Sequence, residues 1–298
     1  MCFIEEFIAY LQYQKQYSNN TISAYKIDIT QYATWLQECY MLTIEQSERT
    51  HIEGYGVFLY QEEYKTTSIR RIFASLKQFF TYLVYIGKRK HNPTQGISIP
   101  KLHKKLPRIL NSTQAETILD ITPSSLLEYR DLALLELLYG SGLRISEALN
   151  LALYDIEMKQ HKVYVYGKGK KERIVPLTPV SVLRLQEWLH YREKLLTERS
   201  GNYVFLGAKG NVLSRREAQR IVQKYSKYAD IPNKITPHIF RHSFATHLLE
   251  NGADSKSVQE LLGHSKLSTT QRYTQLSLQS ITQEYHMYHP HSKLNKKE

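Results

Sequence analysis

The sequence predicts a multidomain, mainly helical protein: an all-α N-terminal domain, then a larger, mainly α domain with one small β-hairpin. Three observations carry this. The 298 residues are about twice a common domain length of ~150. Apolar residues recur at three- and four-residue steps through residues 1–87, and the pattern then breaks in a proline- and lysine-rich stretch at 88–108. Past that break helical patterns resume, interrupted by one pair of short alternating segments around a Gly-Lys turn. The composition, 42% hydrophobic and 23% charged, is that of a globular chain and argues against a disordered, collagen-like or multi-span membrane protein.

In the first domain Ile22, Tyr25, Ile29, Tyr32 and Leu36 form one helical stripe, with Ser18, Asn19, Asn20 and Thr21 as capping candidates. Ile52, Tyr55, Phe58 and Leu59 mark a shorter helix, and Ile69, Ile72, Phe73, Leu76, Phe79, Phe80 and Leu83 a strong one. The interleaved aromatic residues read as core. Arg70, Arg71 and Lys77 lie off the stripe, either reaching a phosphate backbone or standing as solvated charge. In residues 88–108, Pro93, Pro100, Pro107 and Gly96 forbid a helix, and Lys88, Lys90, Lys101, Lys104 and Lys105 crowd together. This reads as an extended basic linker.

In the second domain, residues 109–288, Thr113 and Glu116 suggest a capping box, and LEYRDLALLELLY at 127–139 a mostly buried helix. Gly140 and Gly142 permit a tight turn before a helix at 144–150. HKVYVYGKGKKERIVPL at 161–177 reads as a hairpin and 178–197 as helix, with YVFL at 203–206 a short buried segment. Ser214 and Glu217 form a second box, opening a helix to about residue 228. Another helix spans 240–250, Asp254 caps the next, and a last one contains Tyr273. The end, 289–298, reads as a polar, lysine-rich tail.

Lys and Arg exceed Asp and Glu by 12, a surplus that favours a polyanionic partner, nucleic acid before an acidic membrane surface. Two cysteines, Cys2 and Cys39, provide neither a disulfide framework nor a four-cysteine zinc site. The opening MCFIEEFIAY has no basic start and is broken by Glu5 and Glu6, so no signal peptide is expected. No apolar run approaches the ~20 residues that span a bilayer, and a reducing cytoplasm is the expected location.

The second domain sets unusual polar groups beside apolar helix segments: Arg144 after the glycine turn, Lys168 at the hairpin tip, His238 and Arg241 three residues apart, His264 after a glycine, and Tyr273. The set suits a phosphodiester. Guanidiniums clamp non-bridging oxygens, imidazoles donate hydrogen bonds or move a proton, a lysine protonates a departing hydroxyl, and a tyrosine attacks phosphorus. These residues supply positive charge themselves, so no metal or other cofactor is expected. Chemistry alone leaves binding of DNA or RNA without catalysis as an equal reading. Arg144 has a bland alternative in a salt bridge to Glu147, and the histidines as satisfied core residues.

At these residues the sequence resembles the tyrosine recombinase family of the lambda-integrase type, over about residues 1–290. GSGLRISEAL carries the first arginine, Arg144; GKGKKERIVPL the hairpin lysine, Lys168; PHIFRHSFATHLL the pair His238 and Arg241; LLGHSKLSTTQRYTQ the second histidine, His264, and the nucleophile, Tyr273. Four blocks in order make the signal specific. Within the family it is similar to the bacterial Xer recombinases, and its ending YHMYHPHSKLNKK is closer to the XerC branch than to XerD.

The resemblance implies a SAM-like core-binding domain at 1–87 and a catalytic domain of tyrosine recombinase fold at 109–288, joined by 88–108 and clamping double-stranded DNA with inverted-repeat half-sites. Four protomers would form a synapse, with residues from about 278 onward packing on a neighbour. Tyr273 would attack the scissile phosphate to give a 3′-phosphotyrosyl link. Arg144, Arg241 and His264 would stabilise the phosphoryl group, Lys168 protonate the 5′ oxygen, and His238 act as base or hydrogen-bond partner. Chromosome-dimer resolution at a dif-like site follows, with a paralogous recombinase and a division-associated DNA translocase as partners and no membrane insertion. The alternatives are a mobile-element integrase or invertase, a type IB topoisomerase, a silent DNA-binding protein, and a zinc enzyme using His238, His242 and His247.

Overall fold

The computed structural model describes residues 2–97, 109–166, 172–229, 231, 235–263 and 275–292, and the chain divides into two compact units, Met1–Leu106 and Pro107–Glu298. The first is helical. Helix α1 (Cys2–Ala9) runs into a π-helical turn (Tyr10–Gln14), followed by α2 (Asn19–Tyr40), α3 (Arg49–Gln61) and α4 (Thr66–Tyr85). Ser18 starts α2, its hydroxyl accepting the Thr21 amide at 3.4 Å. Ile22, Ile29, Tyr32 and Leu36 are buried, as is the α4 stripe from Ile69 to Leu83, while Tyr25 stays half-buried. The core is aromatic. Tyr32 and Trp35 each meet Tyr55 at 4.9 Å between ring centres, and Phe7 meets Phe79 edge-on at 5.4 Å.

Arg71, placed off the stripe, is not simply solvated charge: it has a protein partner. Its Nη1 donates to both oxygens of Asp28 at 2.5 Å, and Asp28 is buried. A buried carboxylate is costly without a partner, and the two helices bring Arg71 to it. Residues 88–97 also differ from the extended linker expected there. Arg89 donates to the Glu45 carbonyl and to Glu48, Asn92 to the Lys77 carbonyl and the Thr81 hydroxyl, and Ile97 packs on the core. Side-chain donors that satisfy backbone and helix-end acceptors hold this stretch to its own unit. The remainder of that linker, 98–108, lies outside the described residues.

The second unit opens with α5 (Ser112–Leu119). Its cap is Asn111 with Gln114, not Thr113 with Glu116: Asn111 Oδ1 accepts the Gln114 amide at 2.8 Å, and Gln114 Oε1 accepts the Asn111 amide at 3.1 Å. Asn111 has the extended backbone a cap requires, whereas Thr113 is already helical. Helix α6 (Leu126–Gly140) is buried at every residue from Arg130 onward, so it is the central rod. It ends at a turn in which Gly142 has φ +59°, and a Cβ there would stand 2.5 Å from the Phe244 ring. Helix α7 (Ile145–Asn150) follows at once.

Strands β1 (Ile156–Glu157), β2 (Lys162–Tyr166) and β3 (Glu172–Pro176) form an antiparallel sheet in the order β1-β2-β3; the hairpin is the expected one and β1 is an addition. Val163 faces Val175, and Val165 faces Arg173. Then come α8 (Pro179–Arg192), α9 (Arg215–Ser226), α10 (Pro237–Glu250), α11 (Ser255–Leu262) and α12 (Gln275–Tyr288). Ser214 and Glu217 form the expected box, and Asp254 accepts the Lys256 and Ser257 amides at 2.8 and 3.1 Å.

Residues 289–292 differ from the polar tail expected at 289–298, whose remainder lies outside the described residues. Ile281, Tyr285, His289 and His291 are buried against their own unit. The Tyr285 hydroxyl donates to the Gly140 carbonyl at 2.6 Å, and His291 Nδ1 lies 3.3 Å from Glu136. The end of α6 and a fully buried glutamate both need donors, and this segment brings them. Within the single chain these residues thus dock on their own protomer. Among the described residues no helix is long and apolar enough to cross a membrane.

Candidate active site

The Gly142 turn delivers Arg144 to the N-terminus of α7, where its backbone amide donates to Glu147 Oε2 at 2.7 Å and its Nη1 to Oε1 at 2.7 Å. Glu147 thus caps its own helix and holds the arginine that precedes it. Arg241 arrives from the first turns of α10, behind Pro237. Its Nη1 donates to the Gly142 carbonyl and lies 3.6 Å from Glu147 Oε2, while its Nη2 donates to the Leu262 carbonyl at the end of α11. Two of the expected residues, remote in sequence, therefore meet at one carboxylate.

A third cation reaches the same group. Arg173 on β3 donates to Glu147 Oε1 and Oε2 at 2.8 and 2.9 Å, and its Nε donates to the Leu261 carbonyl at 3.1 Å. Burial alone would raise the Glu147 pKa. The Arg173 bonds and charge, then those from Arg144, outweigh it and bring it down to about 2. Burial, then the Arg144 and Arg173 charges, pull Arg241 down to about 9 against the opposing pull of Glu147, so it remains a cation at neutral pH. Three guanidiniums on one carboxylate leave a net positive cluster. Arg144, with its side chain 37% exposed, is its open side, and Arg241, at 9%, is its inner wall. Such a cluster carries the charge that attracts an added anion.

His238 stands in the first turn of α10, exposed, while Arg241 turns inward. Lys168, His264 and Tyr273 lie outside the described residues. Their neighbours are described: Lys168 falls between β2 and β3, His264 directly follows Gly263, and Tyr273 precedes α12 by two residues. The three histidines of the zinc reading part company. His238 and His242 are exposed, and His247 is buried with Nδ1 2.9 Å from the Tyr139 hydroxyl. Among the described residues no group of three or more His, Cys, Asp or Glu is placed to hold a metal ion.

Sequence reading passed over Arg173. The signal was present: it occupies the inward row of the hairpin otherwise filled by the buried Val163, Val165 and Val175. A charge in an apolar row has a buried partner.

Residues 108–280 match the phage integrase family, and residues 4–87 match the phage integrase N-terminal SAM-like domain. The tyrosine recombinase XerD of Listeria innocua serovar 6a is 40% identical over 291 residues, covering 96% of this chain and 98% of the relative. XerC of Myxococcus xanthus is also 40% identical, over 292 residues, covering 96% and 97%. The two branches match equally, so the leaning toward XerC gives way to the coarser statement that the chain is Xer-like. Among solved structures, the Tn1549 transposon integrase in complex with transposon right end DNA superposes with a TM-score of 0.70 at 19% identity, covering 94% of this chain and 98% of that one. The XerH site-specific recombinase bound to palindromic difH substrate gives 0.69 at 23%, covering 88% and 78%. These two speak for the fold. With kinship of this extent over both units, the chain belongs to the phage integrase family, as a Xer-like tyrosine recombinase, an enzyme that recombines DNA at specific sites.

Proposed function

We propose that this recombinase resolves chromosome dimers at a dif-like site, with Tyr273 as nucleophile and Arg144, Lys168, His238, Arg241 and His264 around the scissile phosphate. The observation that supports this most is the meeting of Arg144 and Arg241 on Glu147. In this reading the Tyr273 oxygen bonds to phosphorus as the bond to the 5′ oxygen breaks, leaving a 3′-phosphotyrosyl link. Lys168 gives the departing oxygen a proton, and His238 takes the phenolic proton or holds it by a hydrogen bond. Arg144, Arg241 and His264 neutralise charge on the non-bridging oxygens. The 5′-hydroxyl of the partner strand then attacks the phosphotyrosine, and the conserved bond energy makes an external energy source unnecessary.

The domain of residues 1–87 and the catalytic domain of 109–288 clamp a duplex with inverted-repeat half-sites, with 88–108 between them. Phosphate contacts from the basic surface supply most affinity and make it salt-sensitive. Four protomers act together in the cytoplasm, alongside a paralogous recombinase and a division-associated translocase. Exchange of the C-terminal segment between protomers is the device that pairs active sites.

The test is capture of the full-length protein on nicked genomic DNA, read on a denaturing gel, with the trapped ends sequenced. Wild type is expected to form a covalent adduct at one site in the chromosome, and Y273F to bind without forming it. An adduct with Y273F refutes the nucleophile. Adducts scattered without sequence preference favour a topoisomerase, and ends mapped to a mobile element refute dimer resolution.

A further inference from the structure

Glu147 is 4% exposed on its side chain, and Arg173 is 9% exposed. Arg173 spends both terminal nitrogens on the two carboxylate oxygens, the fork-to-fork geometry that a guanidinium alone provides. Arg144 gives the carboxylate one side-chain bond and keeps an exposed face, and Arg241 stands off at 3.6 Å. The division of labour is electrostatic. A buried carboxylate left without Arg173 would draw the other two guanidiniums onto its vacated lone pairs, away from any phosphate.

The same side chain joins two further pieces of the site. Arg173 lies on the strand that leads out of the segment carrying Lys168, and its Nε holds the Leu261 carbonyl. It also packs against Gly263, where φ is +63° and a Cβ would stand 3.0 Å from Arg173 Cδ, so the end of α11 is shaped around it. Arg241 holds the next carbonyl, Leu262. Hairpin, carboxylate and α11 terminus thus share one guanidinium.

We propose that Arg173 is a positioning residue for recombination: it occupies the Glu147 carboxylate so that Arg144 and Arg241 stay available to the scissile phosphate, and it holds the Leu261–Gly263 end of α11 in place. The inference rests on the catalytic reading proposed above. It assigns to Arg173 no contact with DNA, so its loss falls on the chemical step and not on binding.

The test uses full-length protein and the nicked duplex on which wild type is trapped. Three quantities are measured: the dissociation constant for that duplex, the rate of adduct formation at saturating protein, and the melting temperature. R173Q is expected to bind within about threefold of wild type and to form adduct about 30- to 100-fold more slowly, the scale of one lost electrostatic element in an active site. R173K keeps the charge without the fork and is expected to lose about tenfold in rate. The double variant E147Q/R173Q is expected to run about tenfold faster than R173Q, because glutamine keeps the α7 cap without the charge that draws the clamp. A merely structural role would not be rescued by removing the partner as well.

Wild-type rate in R173Q or R173K overturns the role, as does a loss confined to the dissociation constant or a double variant no faster than R173Q. In each case the wild-type adduct leaves the recombination reading standing. Absence of that adduct in wild type overturns both. If R173Q unfolds, R173K, which preserves the charge balance, decides by the same split between rate and binding.

Discussion

The two units solve the problem of a buried core differently. The first fills it with rings, Phe7, Tyr32, Trp35, Tyr55 and Phe79 among them, and buries one carboxylate, Asp28, against one arginine. The second buries Arg130, Asp131, Glu136, Glu147, Arg241, His247, His289 and His291. Apolar burial is non-directional and stabilises a shape. Buried charge is directional and costs stability unless each group meets its partner. The first unit's core is set mainly by shape; the second's depends also on which charges meet.

That contrast can be broken by four experiments. Phe79→Ala should destabilise the first unit by about 3–5 kcal/mol, seen by denaturant unfolding, and leave the rate of adduct formation at saturating DNA unchanged. A slowed chemical step would mean the aromatic core does more than hold shape. Arg241→Ala should do the reverse, slowing adduct formation about 100- to 1,000-fold with DNA affinity nearly intact. Equal losses in rate and affinity would reduce it to an anchor. Arg71→Ala strips Asp28 of its partner and should cost about 1–3 kcal/mol in unfolding, discounted because Arg71 is 45% exposed on its side chain. If this variant instead weakens DNA binding at unchanged stability, Arg71 is a phosphate contact after all.

The smallest effect concerns pH and the docked chain end. Burial pulls the His289 pKa down to about 3, with Glu136 opposing and His291 and His247 adding to the fall. A base with a depressed pKa contributes fully above its unfolded value of 6.5 and loses that contribution as pH falls toward 3. At His291 burial also pulls down, but the bond to Glu136 and its charge outweigh it and raise the pKa. Its contribution is full below 6.5 and fades as pH rises through the raised value. Docking of residues 280–292 should therefore be tightest near pH 6.5 and weaken by about tenfold per unit of acidification down to about 4.5, below which loss of the Glu136 carboxylate steepens the fall. Hydrogen exchange in that segment, corrected for intrinsic rates, measures it. A flat profile would show that the two histidines do not report on docking.

What could be read in the sequence follows from what is local. The stripes of α2 and α4, the Ser214 box and the Asp254 cap each depend on residues a few positions apart, so spacing suffices. The Thr113 box failed against Asn111 because cap choice turns on backbone angles, which neighbouring segments set. The linker lost residues 88–97 to the first unit because Arg89 and Asn92 find acceptors that come from elsewhere in the chain. Arg144 and Arg241 were visible as types within recognisable blocks; the partners of Arg173, Arg71 and His291 were not, since nothing near them in sequence names them.

By itself, then, the sequence determined the periodic faces of the helices, the helical first domain, the hairpin and the order of the phosphodiester-suited side chains. Tertiary structure alone decided that three arginines share Glu147, that Asp28 takes Arg71, and that Tyr285 and His291 close on α6. The reason is range. Burial patterns are written every three or four residues, whereas an ion pair is a distance between segments that only the folded chain defines.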